Sequence, residues 1–194
     1  KELEKYDLVS IEEYNADLNR FMIELSQIDQ TKLDDFYLQK YLITEDFLYR
    51  NNYELSNFNY YSYNPSYSIE RIFNSLFFIM YNQEINTEDK FEALSFRLEL
   101  IPNCINNIEK NLDYYSKDDF EESILLIDQF EYLLKSLLLS IDLNSVSDAI
   151  SSKITRDIEI VFISLHEFTI HINNMNGKTK IDKIKRMNDY VSYE

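Results

Sequence analysis

Between Phe91 and Leu112 the residues Phe91, Leu94, Leu98, Ile101, Ile105, Ile108 and Leu112 recur at alternating steps of three and four. That spacing places every one of them on a single face of a helix. Pro102 sits inside the stripe. It has no amide hydrogen for the Leu98 carbonyl and its ring crowds that oxygen, so the pattern predicts a buried helix with a kink. A second unbroken stripe, Ile150, Ile154, Ile158, Val161, Leu165, Phe168, Ile172 and Met175, predicts a helix over 146–175.

The rest of the chain repeats the theme. Ile11, Leu18, Phe21 or Met22, Leu25 and Ile28 predict a helix over 11–29, with Ser10 and Glu13 as a capping box. Leu33, Phe36, Tyr37, Phe47 and Leu48 predict one over 32–51, capped by Thr31 with Asp34 at the third position. Ser66 or Ser68 opens a helix over 67–82 that is apolar on more than one side, through Ile69, Ile72, Phe73, Leu76, Phe77, Ile79 and Met80. It reads as the most buried helix. Thr87, with Glu88 and Asp89 in the first turn, opens the proline-bearing helix over 88–114. Ser116, with Asp119, opens a helix over 117–141 lined by Phe120, Ile124, Ile127, Leu134, Leu138 and Ile141. Ser145 with Asp148 caps the sixth, and Gly177 is placed to end it. The expected fold is all-α: about six antiparallel helices in a single domain over 1–194, with a frayed start at 1–9 and a basic and polar tail at 178–194.

The stretch 51–67 breaks the periodicity. Within it Tyr60, Tyr61, Tyr63 and Tyr67 surround Asn64-Pro65. A residue before proline is pushed away from helix, so a long aromatic loop is expected. Its tyrosines either plug the end of a bundle or form a cleft wall. Arg97, on the edge of the buried stripe beside Leu98, pairs with a carboxylate at the core rim on the bland reading. Tyr60, Tyr61, Tyr63, Asn64, Tyr67 and Arg97 together are the candidate cleft or partner surface.

Composition narrows the function classes. One Gly and two Pro among 194 residues leave few tight turns and argue against a many-stranded sheet protein. A net charge of −16 disfavours nucleic acid and anionic membrane as partners, because both repel it. No apolar run is long enough to span a bilayer. No secretory leader opens the chain, which slightly favours the cytoplasm. It also begins with Lys1 and not Met, so the missing leader carries little weight. The lone Cys104 excludes an internal disulfide and a Cys-rich zinc site.

Candidate chemistry is thin. His166 and His171, with Glu167 between them, evoke a zinc helix, but that motif needs histidines four apart. Five residues turn them about 140° around the axis, onto opposite flanks of the buried stripe. The acid pairs Glu12/Glu13, Asp34/Asp35, Asp118/Asp119 and Glu121/Glu122 suit first turns and polar faces. No Glu-x-x-His step, phosphate loop or nucleophile elbow occurs. The reading is therefore no catalytic residue, no metal ligand and no cofactor. Lys178, Lys180, Lys183, Lys185 and Arg186 form a basic cluster that complements the acidic body or starts a further segment, the lesser alternative being contact with nucleic acid or another acidic partner.

Three segments in order carry a resemblance: Ile28–Asn51, Tyr63–Met80 and Glu88–Leu112. Their features are Leu33-Asp34, Asn64-Pro65, Arg97-Leu98, Ile101-Pro102 and Asn111-Leu112. The set resembles the N-terminal helical region of the bacterial family called domain of unknown function 885. The resemblance implies a mostly α-helical, zinc-peptidase-like parent whose H-E-x-x-H-type motif lies downstream of the matched region. His166 and His171 do not match that motif, so no ligand transfers. What it implies for this chain is a non-catalytic scaffold or cleft-forming region, partnered by a peptide or by the missing C-terminal part of its own parent chain. The alternative is a stand-alone helical module that binds a protein or peptide.

Overall fold

The computed structural model describes residues 6–57, 60–113, 117–143 and 147–175. They are all-α: α1 Leu8–Ser26, α2 Asp35–Asn57, α3 Pro65–Tyr81, α4 Thr87–Asn111, α5 Lys117–Leu143 and α6 Asp148–Met175. No strand occurs among the described residues. The expected helical fold, its six helices and the proline kink within α4 are all present. Ser116, Ser145, Gly177 and the basic cluster lie outside the described residues.

The helix ends move by a few residues, for one recurring reason: several capping side chains compete. Asp7 caps α1, accepting from the Ser10 amide at 2.9 Å and the Ser10 hydroxyl at 2.8 Å, so Ser10 is itself held within the first turn. Thr31 falls in a short 3₁₀ turn, Gln30–Lys32, capped by Asp29. Asp34 then accepts from the Tyr37 amide and opens α2. Asn64 replaces the expected serines at the head of α3, with Pro65 in the first turn, where its fixed φ suits a helix and its missing N–H costs nothing. Asn86, one residue ahead of Thr87, caps α4. Because α2 continues to Asn57 and Pro65 opens α3, helix enters both ends of the stretch assigned to a loop.

The described residues form two compact units. One lies within Asp7–Tyr60 and holds α1 and α2. These run antiparallel: Tyr14 donates to Asn51, Asn52 donates to Asn19, and Met22 and Leu25 lie near Tyr41, Leu48 and Tyr49. Leu18, Tyr41 and Leu48 are its buried side chains.

The other unit holds Tyr6 and α3 to α6. Side-chain partners give the helix directions. Arg97 donates to the Ser75 carbonyl and Lys90 to the Met80 carbonyl, so α3 and α4 are antiparallel. Ser66 reaches Glu122, and Phe73 meets Phe130 edge-on at 5.9 Å, so α3 and α5 are parallel. Lys153 meets Glu99, and His171 meets Glu109, so α4 and α6 are parallel. The extensive contacts are α3 with α4, α4 with α6, α6 with α5 and α5 with α3, so the helices occupy the corners of a square in that order. Its centre is filled by Ile69, Ile72 and Leu76 from α3, Leu94, Leu98 and Ile101 from α4, Phe130 and Leu134 from α5, and Ile158, Val161, Leu165 and Phe168 from α6. Tyr6 is buried against this unit in a left-handed backbone conformation, φ 57°. The edge contact of its ring with Tyr61 at 6.1 Å and the Asn111 amide on its carbonyl at 2.6 Å hold it there.

Candidate functional site: an aromatic groove on α3 and α5

Helix α3 has more apolar residues than one face can bury. Ile69, Ile72, Leu76 and Ile79 point into the core. Phe73, Phe77 and Tyr81 follow one another a turn apart along the adjacent flank, which faces α5. Across from them α5 turns Phe130, Leu134 and Leu137 inward and presents Gln129, Tyr132, Leu133 and Ser136. The two walls enclose an open groove of ≈ 430 Å³.

The rings form a ladder. Phe73 stacks on Phe77 at 6.1 Å, and Phe77 meets Tyr81 at 4.4 Å. Phe73 is anchored from below by its edge contact with the fully buried Phe130. Upward the ladder opens to solvent: Phe77 is 38% exposed, Tyr81 63% and Tyr132 75%. Rings held by neighbouring rings present apolar area at little entropic cost. The polar groups of the wall are Asp128, Gln129, Ser136 and the Tyr132 and Tyr81 hydroxyls. The Ser136 hydroxyl donates to the Tyr132 carbonyl within α5. The groove thus offers mainly apolar surface, with a carboxylate, an amide and hydroxyls at its wall.

The residues picked out in the sequence lie elsewhere. Tyr61 and Tyr63 are buried. Tyr60 is half-buried in a 3₁₀ turn. Asn64 spends its side-chain oxygen on the Tyr67 amide and the Ser66 hydroxyl. Tyr67 meets Tyr61 edge-on at 5.8 Å, and the Arg71 guanidinium lies 5.4 Å from its ring centre. Arg97 braces α4 against α3 by donating to the Ser75 carbonyl, and burial pushes its guanidinium below the usual range. Ser75 is eight residues beyond Tyr67, about 12 Å along the helix, so Arg97 and the tyrosines do not converge. None of the six lines the aromatic groove.

The two histidines part as their spacing requires. His171 Nδ1 lies 2.9 Å from Glu109 Oε1 on α4, whereas His166 is exposed. Among the described residues a charged cluster joins α4 to α6 through Lys153, Glu99, Asp157 and Arg156. Among the described residues no group of three or more His, Cys, Asp or Glu side chains could hold a metal ion.

The apolar spacing of α3, through Phe73 and Phe77 among others, marks it as apolar on more than one side and as the most buried helix, and singles out neither Tyr81 nor Tyr132. The available signal was the surplus apolar side of α3: residues beyond the core quota have to face something else. Which side that is depends on α5, about 50 residues later in the chain, and no local pattern contains it.

No family model matches the chain, and no curated protein matches it. The fold is similar to that of a candidate lipoprotein of unknown function from Shewanella oneidensis, with a TM-score of 0.77 and 16% identity. The likeness covers 89% of this chain and 32% of that one, so the chain spans about a third of that protein's length. At this identity the likeness concerns the fold alone.

Proposed function

We propose that the chain is a non-catalytic helical module that binds an apolar helical segment of a protein partner in the groove between α3 and α5. The observation that supports this is the ladder Phe73–Phe77–Tyr81 facing Tyr132, ordered by ring contacts and open to solvent. An apolar groove between parallel helices suits a helix laid along it, with its side chains spaced to meet the rings. Exposed aromatic residues of this kind dominate the energetics of such interfaces.

A photo-crosslinking amino acid at Gln129 tests the reading in cells that make the protein. Crosslinks should map to one helical segment of one partner and vanish in Phe77→Ser. Crosslinking no stronger than from a control position on α1, such as Glu12, refutes it.

A second reading keeps the chain as the cleft-forming part of a longer, peptidase-like protein. What favours the longer-protein part of it is that the similar fold occurs as a third of a larger polypeptide; the peptidase-like part rests on the sequence resemblance alone. The groove's occupant is then another part of the same polypeptide. On either reading this chain alone cleaves no peptide and holds no stoichiometric zinc. Metal analysis of the purified chain checks this, and one tightly held zinc per chain overturns it.

A further inference from the structure

The groove is not electrically uniform along its length. Helices α3 and α5 are parallel, so their N-terminal ends lie at the same end of the groove. Glu70 is exposed and precedes Phe73 by three residues of α3, a spacing that sets it on the same flank just beyond the residues that line the groove. Asp128 precedes Tyr132 by one turn of α5 and lines the groove. Both carboxylates therefore stand toward the end where the two helices begin. Toward the other end the walls are Tyr81 and Ser136.

The cations on these two helices are engaged with other groups. Lys117 pairs with Glu121, Arg71 lies over Tyr67, and Lys135 pairs with Glu131 beside Phe162 of α6. Among the described residues neither Glu70 nor Asp128 has an ion pair. With a net charge of −16 on the whole chain, a cationic segment is favoured over an anionic one as the groove's occupant.

Resting on the groove reading above, we infer that the occupant is an amphipathic helix from a protein partner with Lys or Arg grouped at one end. That end lies against Glu70 and Asp128, and the apolar row continues along Phe77, Tyr132 and Tyr81. Exposed ion pairs contribute little individually, so the two together amount to roughly a tenfold preference at low salt, decaying as salt is added.

Fluorescence anisotropy with the full chain tests this, using three labelled helical peptides of about 18 residues, long enough to span the groove. The first has a leucine row at helical spacing and three lysines at one end. The second replaces those lysines with glutamates. The third keeps the lysines and scrambles the leucines. The lysine peptide should bind roughly tenfold tighter than the glutamate peptide. The double variant Glu70→Gln/Asp128→Asn should erase the difference, and Tyr132→Ser should weaken both peptides. Equal binding of the lysine and glutamate peptides, both sensitive to Tyr132→Ser, overturns the charge inference and leaves the groove reading standing. Equal binding of the scrambled peptide also overturns the inference. Binding by neither leucine-row peptide removes the groove reading, and the inference with it.

Discussion

Glu99 of α4 and Lys153 of α6 meet at 2.7 Å, at the edge of the most extensive helix contact among the described residues. Lys153 also reaches Asp157, one turn further along α6, at 3.0 Å, and the Ser95 hydroxyl at 3.0 Å. Asp157 is 3% exposed and takes two further bonds from Arg156, at 2.8 and 3.1 Å. A buried carboxylate survives there because three donated hydrogen bonds replace its lost water.

Lys153→Met should therefore destabilise the fold without unfolding it. It removes one charged bond to Asp157 and leaves the two from Arg156. We expect a loss of about 1–2 kcal/mol in urea denaturation, with an unchanged slope. An effect below about 0.3 kcal/mol would show that Arg156 alone satisfies the carboxylate.

The same cluster predicts a loss of stability in alkali. Glu99, and after it Asp157, hold the Lys153 ammonium above its ordinary range, against the opposing effect of partial burial. A cation whose folded value is raised stabilises fully below its unfolded value, about 10.4, and the contribution fades as pH rises through the folded value. The stability difference between the wild-type chain and Lys153→Met should be constant through neutral pH and shrink above about pH 10.5. A gap that closes already below pH 9 would contradict it.

Pro102 lies inside α4, where no amide hydrogen can reach the Leu98 carbonyl. Proline costs about 3 kcal/mol relative to alanine in a helix interior. The core has settled around the bend, with Leu98, Ile101 and Ile105 all buried beside it. Pro102→Ala should consequently recover only part of that, about 1–2 kcal/mol. Thermal unfolding followed by circular dichroism measures it, and a lowered midpoint would mean that the packing requires the kink.

Phe130 and Tyr132 stand two residues apart on α5 and should respond in opposite ways. Phe130 is fully buried under Phe73, so Phe130→Ala opens a cavity and should cost about 3–5 kcal/mol. Tyr132 is 75% exposed in the groove, so Tyr132→Ser should change stability by no more than about 0.5 kcal/mol. Chemical denaturation of both variants decides it; a large cost at Tyr132 would make the groove wall part of the core.

The helical class, the faces of α4 and α6 and the interior proline are legible in the sequence alone. A helix repeats every 3.6 residues, so an unbroken stripe of seven or eight apolar residues has one plausible arrangement. The separation of the two histidines followed from the same geometry. Cap positions were legible only to within a few residues, because Asp7 and Ser10, or Asn64 and Ser66, are both competent caps and local geometry selects between them. Tertiary structure alone decided the partners. Nothing near Phe77 or Tyr132 in sequence says that α3 runs parallel to α5, that Tyr61 and Tyr63 are buried, or that Arg97 reaches the Ser75 carbonyl. Apolar spacing specifies that a face is to be covered, and the covering element can lie anywhere in the chain. The Phe73–Phe77–Tyr81 flank, with the core already filled beneath it, is left as a groove wall.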